Sequence, residues 1–310
     1  MTPPRIVCIG GAVFDRKYRA KKDLVAATSN PVTGFRSHGG VARNVAENLA
    51  RLGANVGFVS MVGDDENGRS LLEHLGALGV DVAHLVTTDQ ASTAEYIAVL
   101  NPTNELALGL ADMDIFDLLS PAQLERAWPA ISSADWVFAD CNLPPETLGA
   151  LIGRKADMAF KLAVDAVSTP KAQKLRGQLA GIDLLFLNQD EADAILDIAP
   201  ADRRQIEDAA VALLKAGAKA IVLTGGGSGY VIGSADGIET MKPVPANPVD
   251  ITGAGDAMIA GTLYRLLAGE PVRQASRTGA LLATLTTESA FSVRPDLSPT
   301  LLTNAMPRMP

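Results

Sequence analysis

Near the C-terminal end, residues 249–261 read VDITGAGDAMIAG. Three small residues, Gly253, Ala254 and Gly255, stand between Thr252 and Asp256. Two apolar rows follow, Met258, Thr262, Leu266 and Ile259, Leu263, Leu267, at the spacing of a buried helix face. The glycines therefore sit at a predicted helix N-terminus. There the first N–H groups lack partners and the helix dipole is positive, which suits an anion. A carboxylate at Asp256 would repel a resident anion. It suits a phosphoryl group in transit, with Asp256 facing the hydroxyl that attacks it. Taken alone, small residues at a helix start also serve plain packing.

Four further stretches carry candidate chemistry. Asp15 follows the first apolar run in GGAVFDRKY, where it can accept hydrogen bonds from substrate hydroxyls or stand as a solvated loop acid. In SHGGVARN, Gly39 and Gly40 open a helix and Asn44 lies one turn in, with an amide that both donates and accepts. An ordinary tight helix entry is the alternative. In FLNQDEAD, Asn188 and Glu191 share a face if a helix starts there, either as an outer shell for hydrated Mg²⁺ or as a capping box. In LTGGGSGYVI, Thr224, Gly226 and Gly229 form a turn whose bare backbone can pass close to a nucleotide, or a simple hairpin turn. The first strand lacks a G-x-G-x-x-G, and the chain has no G-x-x-x-x-G-K-[ST], so neither a dinucleotide fold nor a Walker-type loop is expected.

The elements that must position these residues follow from hydrophobic pattern. RIVCIGG, NVGFVSMVG, DWVFAD, FKLAVDAV, DLLFLN and AIVLTGG are nearly continuous apolar runs, as parallel strands covered on both faces require. Between them lie helical stripes such as Val41, Val45, Leu49 and Leu52, closed by Gly53. The expected fold is α/β, a three-layer sandwich around a mostly parallel sheet, with ligands at the C-terminal strand ends. Two regions break the rhythm. Residues 15–37 are mixed, basic and loop-like, and residues 93–110 read as a hairpin, TAEYIAVL and ELALGL around NPTN. Together they predict a small β lid, so that 15–37 and 89–112 form the lid and 1–14, 38–88 and 113–310 the core.

The 310 residues are 47% hydrophobic and 20% charged, a globular composition. A net charge of -8 argues against a nucleic-acid partner. The first apolar run is too short for a signal peptide and no later one reaches membrane-spanning length, so a cytoplasmic protein without a membrane partner is expected. Cys8 and Cys141 read as reduced thiols. His38, His74 and His84 are scattered without metal-ligand spacing.

The set GGVARN, NQDE, TGGGSG and DITGAGD, in this order over nearly the whole chain, resembles the ribokinase-like (phosphofructokinase-B type) carbohydrate and nucleoside kinases. The resemblance implies that a substrate hydroxyl attacks the γ-phosphoryl of ATP, with Asp256 as base and Gly253, Ala254 and Gly255 as anion hole. It assigns Asp15, Gly39, Gly40 and Asn44 to the sugar, Thr224, Gly226 and Gly229 to the nucleotide, and Asn188 with Glu191 to Mg²⁺ and phosphate. It also implies a monovalent cation, K⁺, beside Asp250 and Thr252, and by analogy a homodimer through the lid. Three stretches, STAEYIAVL running to ADMDI, ADCNLPPETL and VDAVSTPK, are similar to the bacterial pseudouridine kinases, which implies the ribose 5′-hydroxyl of that nucleoside as acceptor. Thr93 and Asp112 are then the expected contacts to its base, and Ala111 departs from the polar residue expected there. Another sugar or nucleoside kinase, or a non-catalytic binding regulator on the same fold, remains open.

Overall fold

The computed structural model describes residues 5–199, 202 and 205–309. Residues 1–4, 200, 201, 203, 204 and 310, all within the expected core segments, lie outside the described residues. The strands are β1 (Arg5–Ile9), β2 (Val13–Ala20), β3 (Val32–Gly39), β4 (Asn55–Gly63), β5 (Asp81–Thr88), β6 (Glu95–Leu100), β7 (Leu106–Asp112), β8 (Trp136–Asp140), β9 (Lys161–Asp165), β10 (Leu184–Asn188), β11 (Ile221–Thr224), β12 (Tyr230–Ser234) and β13 (Gly237–Met241). The helices are α1 (Val41–Arg51), α2 (Glu66–Ala77), α3 (Pro121–Ser132), α4 (Pro145–Lys155), α5 (Thr169–Ala172), α6 (Gln189–Leu196), α7 (Ile206–Lys215), α8 (Ala254–Leu267), α9 (Val272–Thr287) and α10 (Pro299–Ala305).

Nine strands form one sheet in the order β13-β12-β11-β10-β9-β8-β1-β4-β5. The six apolar runs are its contiguous middle, β11 to β4, and every pairing among them is parallel. Successive side chains point to opposite faces, so each strand feeds two cores. Val7 and Ile9 of β1 belong to one buried core with Leu148 and Leu151 of α4 and Ala192 of α6. Ile6 and Cys8 pack with Val45 and Leu49 of α1 and Ile259 and Leu263 of α8. Helices on both faces explain why the middle strands carry no polar alternation. Cys8 and Cys141 are free thiols buried in these layers. Among the described residues, no helix is long and apolar enough to cross a membrane.

A second sheet, ordered β3-β2-β6-β7, is the lid. The stretch 15–37, loop-like in sequence, holds most of two eight-residue strands instead. Their charged residues stand on a thin two-sided sheet that needs no apolar run, which is why periodicity missed them. Asp15 pairs in register with Ser37 and Tyr96, and Tyr96 with Ala111, so these four share one face. Glu95 and Asp112 pair one position along and share the other face.

Candidate active site

The site gathers where β1, β8 and β9 end and where α1 and α8 begin. Asp140, last in β8 and fully buried, accepts from Gly11 N at 3.0 Å and Ala42 N at 2.9 Å through Oδ2, and from Asn142 N at 3.0 Å through Oδ1. One carboxylate thus joins the exit of β1 to the entry of α1. Gly39 completes that entry by close approach, because a Cβ there would lie 2.0 Å from Asp15 Oδ2. Gly40 is the N-cap of α1. Burial pushes the Asp15 carboxyl up to about 6, against the positive charges of Arg43 and Lys17.

One turn into α1, Asn44 Nδ2 donates to Asp256 Oδ2 at 2.6 Å. The amide is held in that orientation by Arg43, whose guanidinium donates to Asn44 Oδ1. Arg43 is itself buried, donating to Gly39 O at 3.1 Å and His38 O at 2.6 Å and pairing with Glu47. Burial pushes the Asp256 carboxyl up to about 7, with the charges of Asp140 and Asp15 adding to the rise, against the Asn44 hydrogen bond and the Arg43 charge. A carboxyl poised near neutrality, tied to a fixed amide, can take a proton from a hydroxyl.

Asp256 stands in the first turn of α8, whose N-cap is Gly253, with Ala254 as first helical residue. Gly253 has a φ of +81°, and a Cβ there would lie 2.1 Å from Ser292 O. No side chain caps this helix. A Cβ on Gly255 would meet nothing within 4 Å. The protein's own packing therefore demands Gly253 but leaves open space over Gly255. The Ala254 N–H donates to Ile251 O at 3.2 Å, so of the three expected anion-hole donors it is already engaged, and Gly253 and Gly255 are the ones left to face an anion.

On the far side, Asn188 and Glu191 form a capping box at α6, with Asn188 N to Glu191 Oε2 at 2.8 Å and Glu191 N to Asn188 Oδ1 at 3.0 Å. The cap and the metal reading are compatible, because the box fixes the buried Glu191 carboxyl at the strand ends. Burial pushes Glu191 up, and Asp165 at the end of β9 is raised further by burial and by the charges of Glu191, Asp256 and Asp140. Among the described residues no three His, Cys, Asp or Glu side chains form a metal cage. Scattered carboxylate oxygens suit Mg²⁺, which keeps several waters and is held largely by substrate phosphates. Glu191 would hold it through such water. Thr224 ends β11 and its hydroxyl donates to Leu187 O at 3.4 Å. Gly226 borders open space, while Gly229 packs so closely that a Cβ would lie 2.2 Å from Met241 O. Of that loop, Gly226 and its neighbour Gly227 are free to border a ligand.

Asp250 and Thr252 do not present an open cation site. Asp250 Oδ1 accepts from Thr252 N at 2.9 Å and Thr252 Oγ1 at 2.6 Å, and its Oδ2 accepts from Lys17 Nζ at 2.7 Å. Thr93 and Asp112 are not brought to the site. Thr93 precedes β6, is buried, and has its hydroxyl donating to Asp65 Oδ1 at 2.7 Å and accepting from Gly63 N at 2.9 Å. It ties the lid connection to the N-cap of α2. Asp112 is exposed on the lid face opposite Asp15. Arg43, Asp140 and Asp165 escape a reading of the sequence. Only the Arg43 and Glu47 spacing of four, an intrahelical pair, signals any of them.

Comparisons with known proteins identify a family and a fold. Residues 3–296 match the family described as pfkB family carbohydrate kinase. The chain is 31% identical over 294 residues to the pseudouridine kinase of Escherichia coli (strain K12), covering 94% of this chain and 93% of the relative. It is 27% identical over 284 residues to the guanosine-inosine kinase of Exiguobacterium acetylicum, covering 90% and 93%. A carbohydrate kinase structure from Agrobacterium tumefaciens superposes with a TM-score of 0.87 at 33% identity, covering 99% and 98%. A ribokinase from Thermotoga maritima reaches the same TM-score, 0.87, at 18% identity over 98% and 99%, a likeness of fold alone.

Proposed function

The chain belongs to the pfkB family of carbohydrate kinases, and on that footing we propose that it transfers the γ-phosphoryl group of ATP to the ribose 5′-hydroxyl of pseudouridine. The products are pseudouridine 5′-phosphate and ADP. Support for the transfer comes from the first turn of α8, where an uncapped helix start opens onto empty space and Asp256 stands beside it, hydrogen-bonded to Asn44. Asp256 takes the 5′-hydroxyl proton as that oxygen bonds to the γ-phosphorus, and the bond to the β-phosphate oxygen breaks with its electrons leaving on ADP. The N–H groups of Gly253 and Gly255 receive the charge that develops on the transferring group, while Ala254 N–H is held by Ile251 O. Mg²⁺, held through water by Glu191, would supply neutralisation of phosphate charge. Asp15, Asn44 and the approach at Gly39 hold the ribose.

The observation that carries the choice of acceptor is the 31% identity to a pseudouridine kinase across 94% of this chain and 93% of the relative. The base would meet the lid face shared by Asp15, Ser37 and Tyr96 rather than Thr93 or Asp112, whose placements serve the fold. A homodimer through the lid is supported by Leu108 and Leu110, 51% and 49% exposed on the face away from Asp15. The test is product identity. Protein, ATP, Mg²⁺ and pseudouridine should give ADP and a nucleotide whose phosphorus couples to the 5′ protons in NMR. No product from pseudouridine, with turnover of ribose or of guanosine, overturns the choice of acceptor.

A further inference from the structure

The loop that leads into α8 carries one carboxylate, Asp250, three positions before Gly253. Its charge opposes any anion arriving at the helix N-terminus, so a cation has to offset it. A free monovalent ion beside Asp250 and Thr252 would stand next to the Lys17 ammonium, whose Nζ lies 2.7 Å from Asp250 Oδ2, and the like charges would repel while Lys17 already offsets the carboxylate. Lys17 comes from a different part of the molecule. It stands in β2, two positions after Asp15, and strand alternation puts both on the lid face that looks toward the site.

We propose that the Lys17 ammonium is a tethered replacement for that monovalent cation, so that Asp250 is neutralised only while β2 is docked against the α8 loop. Docking of the lid and electrostatic readiness of the phosphoryl site then become one event. Adding stability is not the function of the pair. Its side chains are 37% and 27% exposed, and ion pairs of this kind contribute about 0–1 kcal/mol. A weak contact of this kind can form and break without disturbing the fold. Lys17 is thus a positioning residue, acting through Asp250 on the field at α8 rather than on the reacting atoms.

This inference rests on reading the α8 N-terminus as the phosphoryl site. Melting temperature and ADP release are measured for the wild type, Lys17→Met and Lys17→Arg in choline chloride and in KCl, both at about 0.1 M ionic strength. The acceptor is whichever nucleoside or sugar gives turnover. The wild type and Lys17→Arg should have the same rate and Tm in both salts. Lys17→Met should lose about tenfold or more in choline chloride, a typical cost for a lost electrostatic stabiliser, and should recover rate and gain Tm in KCl. A wild type that gains rate and Tm in KCl overturns the proposal. So does a Lys17→Met protein as active as the wild type in choline chloride, or one whose loss KCl does not reverse. A wild type inert toward every acceptor contradicts the kinase reading instead, and the salt dependence of Tm still decides the role of Lys17.

Discussion

Asn44 of α1 and Asp256 of α8, 212 positions apart in sequence, meet side chain to side chain with Nδ2 2.6 Å from Oδ2. Arg43, donating to the Asn44 amide oxygen, leaves the amide no choice but to present its NH₂ to the carboxylate. The Asp256 carboxylate is therefore oriented by Asn44, the residue proposed above to help hold the acceptor. Loss of a general base typically costs about 10²- to 10⁴-fold, so Asp256→Asn should lower kcat by that order while ATP still binds. Near-normal turnover of the variant, measured by coupled ADP release, contradicts the role.

The pH dependence follows from the Asp256 carboxyl, pushed up to about 7 chiefly by burial. Only its ionised form accepts a proton, so kcat/KM for the acceptor should rise with pH through about 7 and level above it. Asn44→Leu removes a hydrogen bond that favours the ionised form, so the rising limb should move to higher pH. The same shift has a stability consequence. The folded state holds this proton more tightly than the unfolded chain, so the Asp256 contribution falls as pH rises from about 4 toward 7. Asp256→Asn should therefore raise Tm at pH 8 more than at pH 4, a difference that thermal melts resolve.

The two glycines of the motif should separate. Gly253→Ala forces a side chain into left-handed backbone at φ +81° and against Ser292 O, so stability should fall by at least about 1–2 kcal/mol. Gly255→Val has open space around it and should leave the denaturation midpoint nearly unchanged. Its branched side chain should crowd the N–H groups proposed to receive charge, a loss that typically costs about 10²- to 10³-fold in kcat. Full activity in a folded Gly255→Val protein returns that glycine to packing.

Glu191→Gln should raise the Mg²⁺ concentration needed for half-maximal rate more than it changes KM for the acceptor, since an outer carboxylate acts on the ion through water. The capping role makes a competing prediction. Gln also caps from this position, so a change confined to Tm, with metal titrations superimposable, would leave Glu191 a helix cap alone.

How far the sequence reaches is clear from which elements it misses. The middle strands β1, β4, β8, β9, β10 and β11 are legible because both faces are buried and the runs are apolar. The edge strands β5 and β13 and the lid strands β2 and β3 carry mixed or exposed patterns and hide among loops. In the site, Asp256, Asn44 and the glycines are legible because a helix start announces itself locally. Asp140, Asp165 and Lys17 are not, since their partners arrive from distant segments. Thr93 and Asp112 stand apart from the candidate site for different reasons: Thr93 precedes β6 and is engaged by Asp65, whereas Asp112 lies on the lid face opposite Asp15, which only register with β2 reveals.

The choice of acceptor is tested most directly by kcat/KM for pseudouridine, uridine and free ribose under identical Mg²⁺ and ATP. Pseudouridine carries a ring N–H that uridine lacks, and a site built to bond such a group rejects the analogue without it far better than an apolar pocket would. The expected ratio of pseudouridine to either competitor is on the order of 10² or more. Equal or higher kcat/KM for uridine or ribose would contradict the pseudouridine assignment, while leaving a kinase whose acceptor is another sugar or nucleoside.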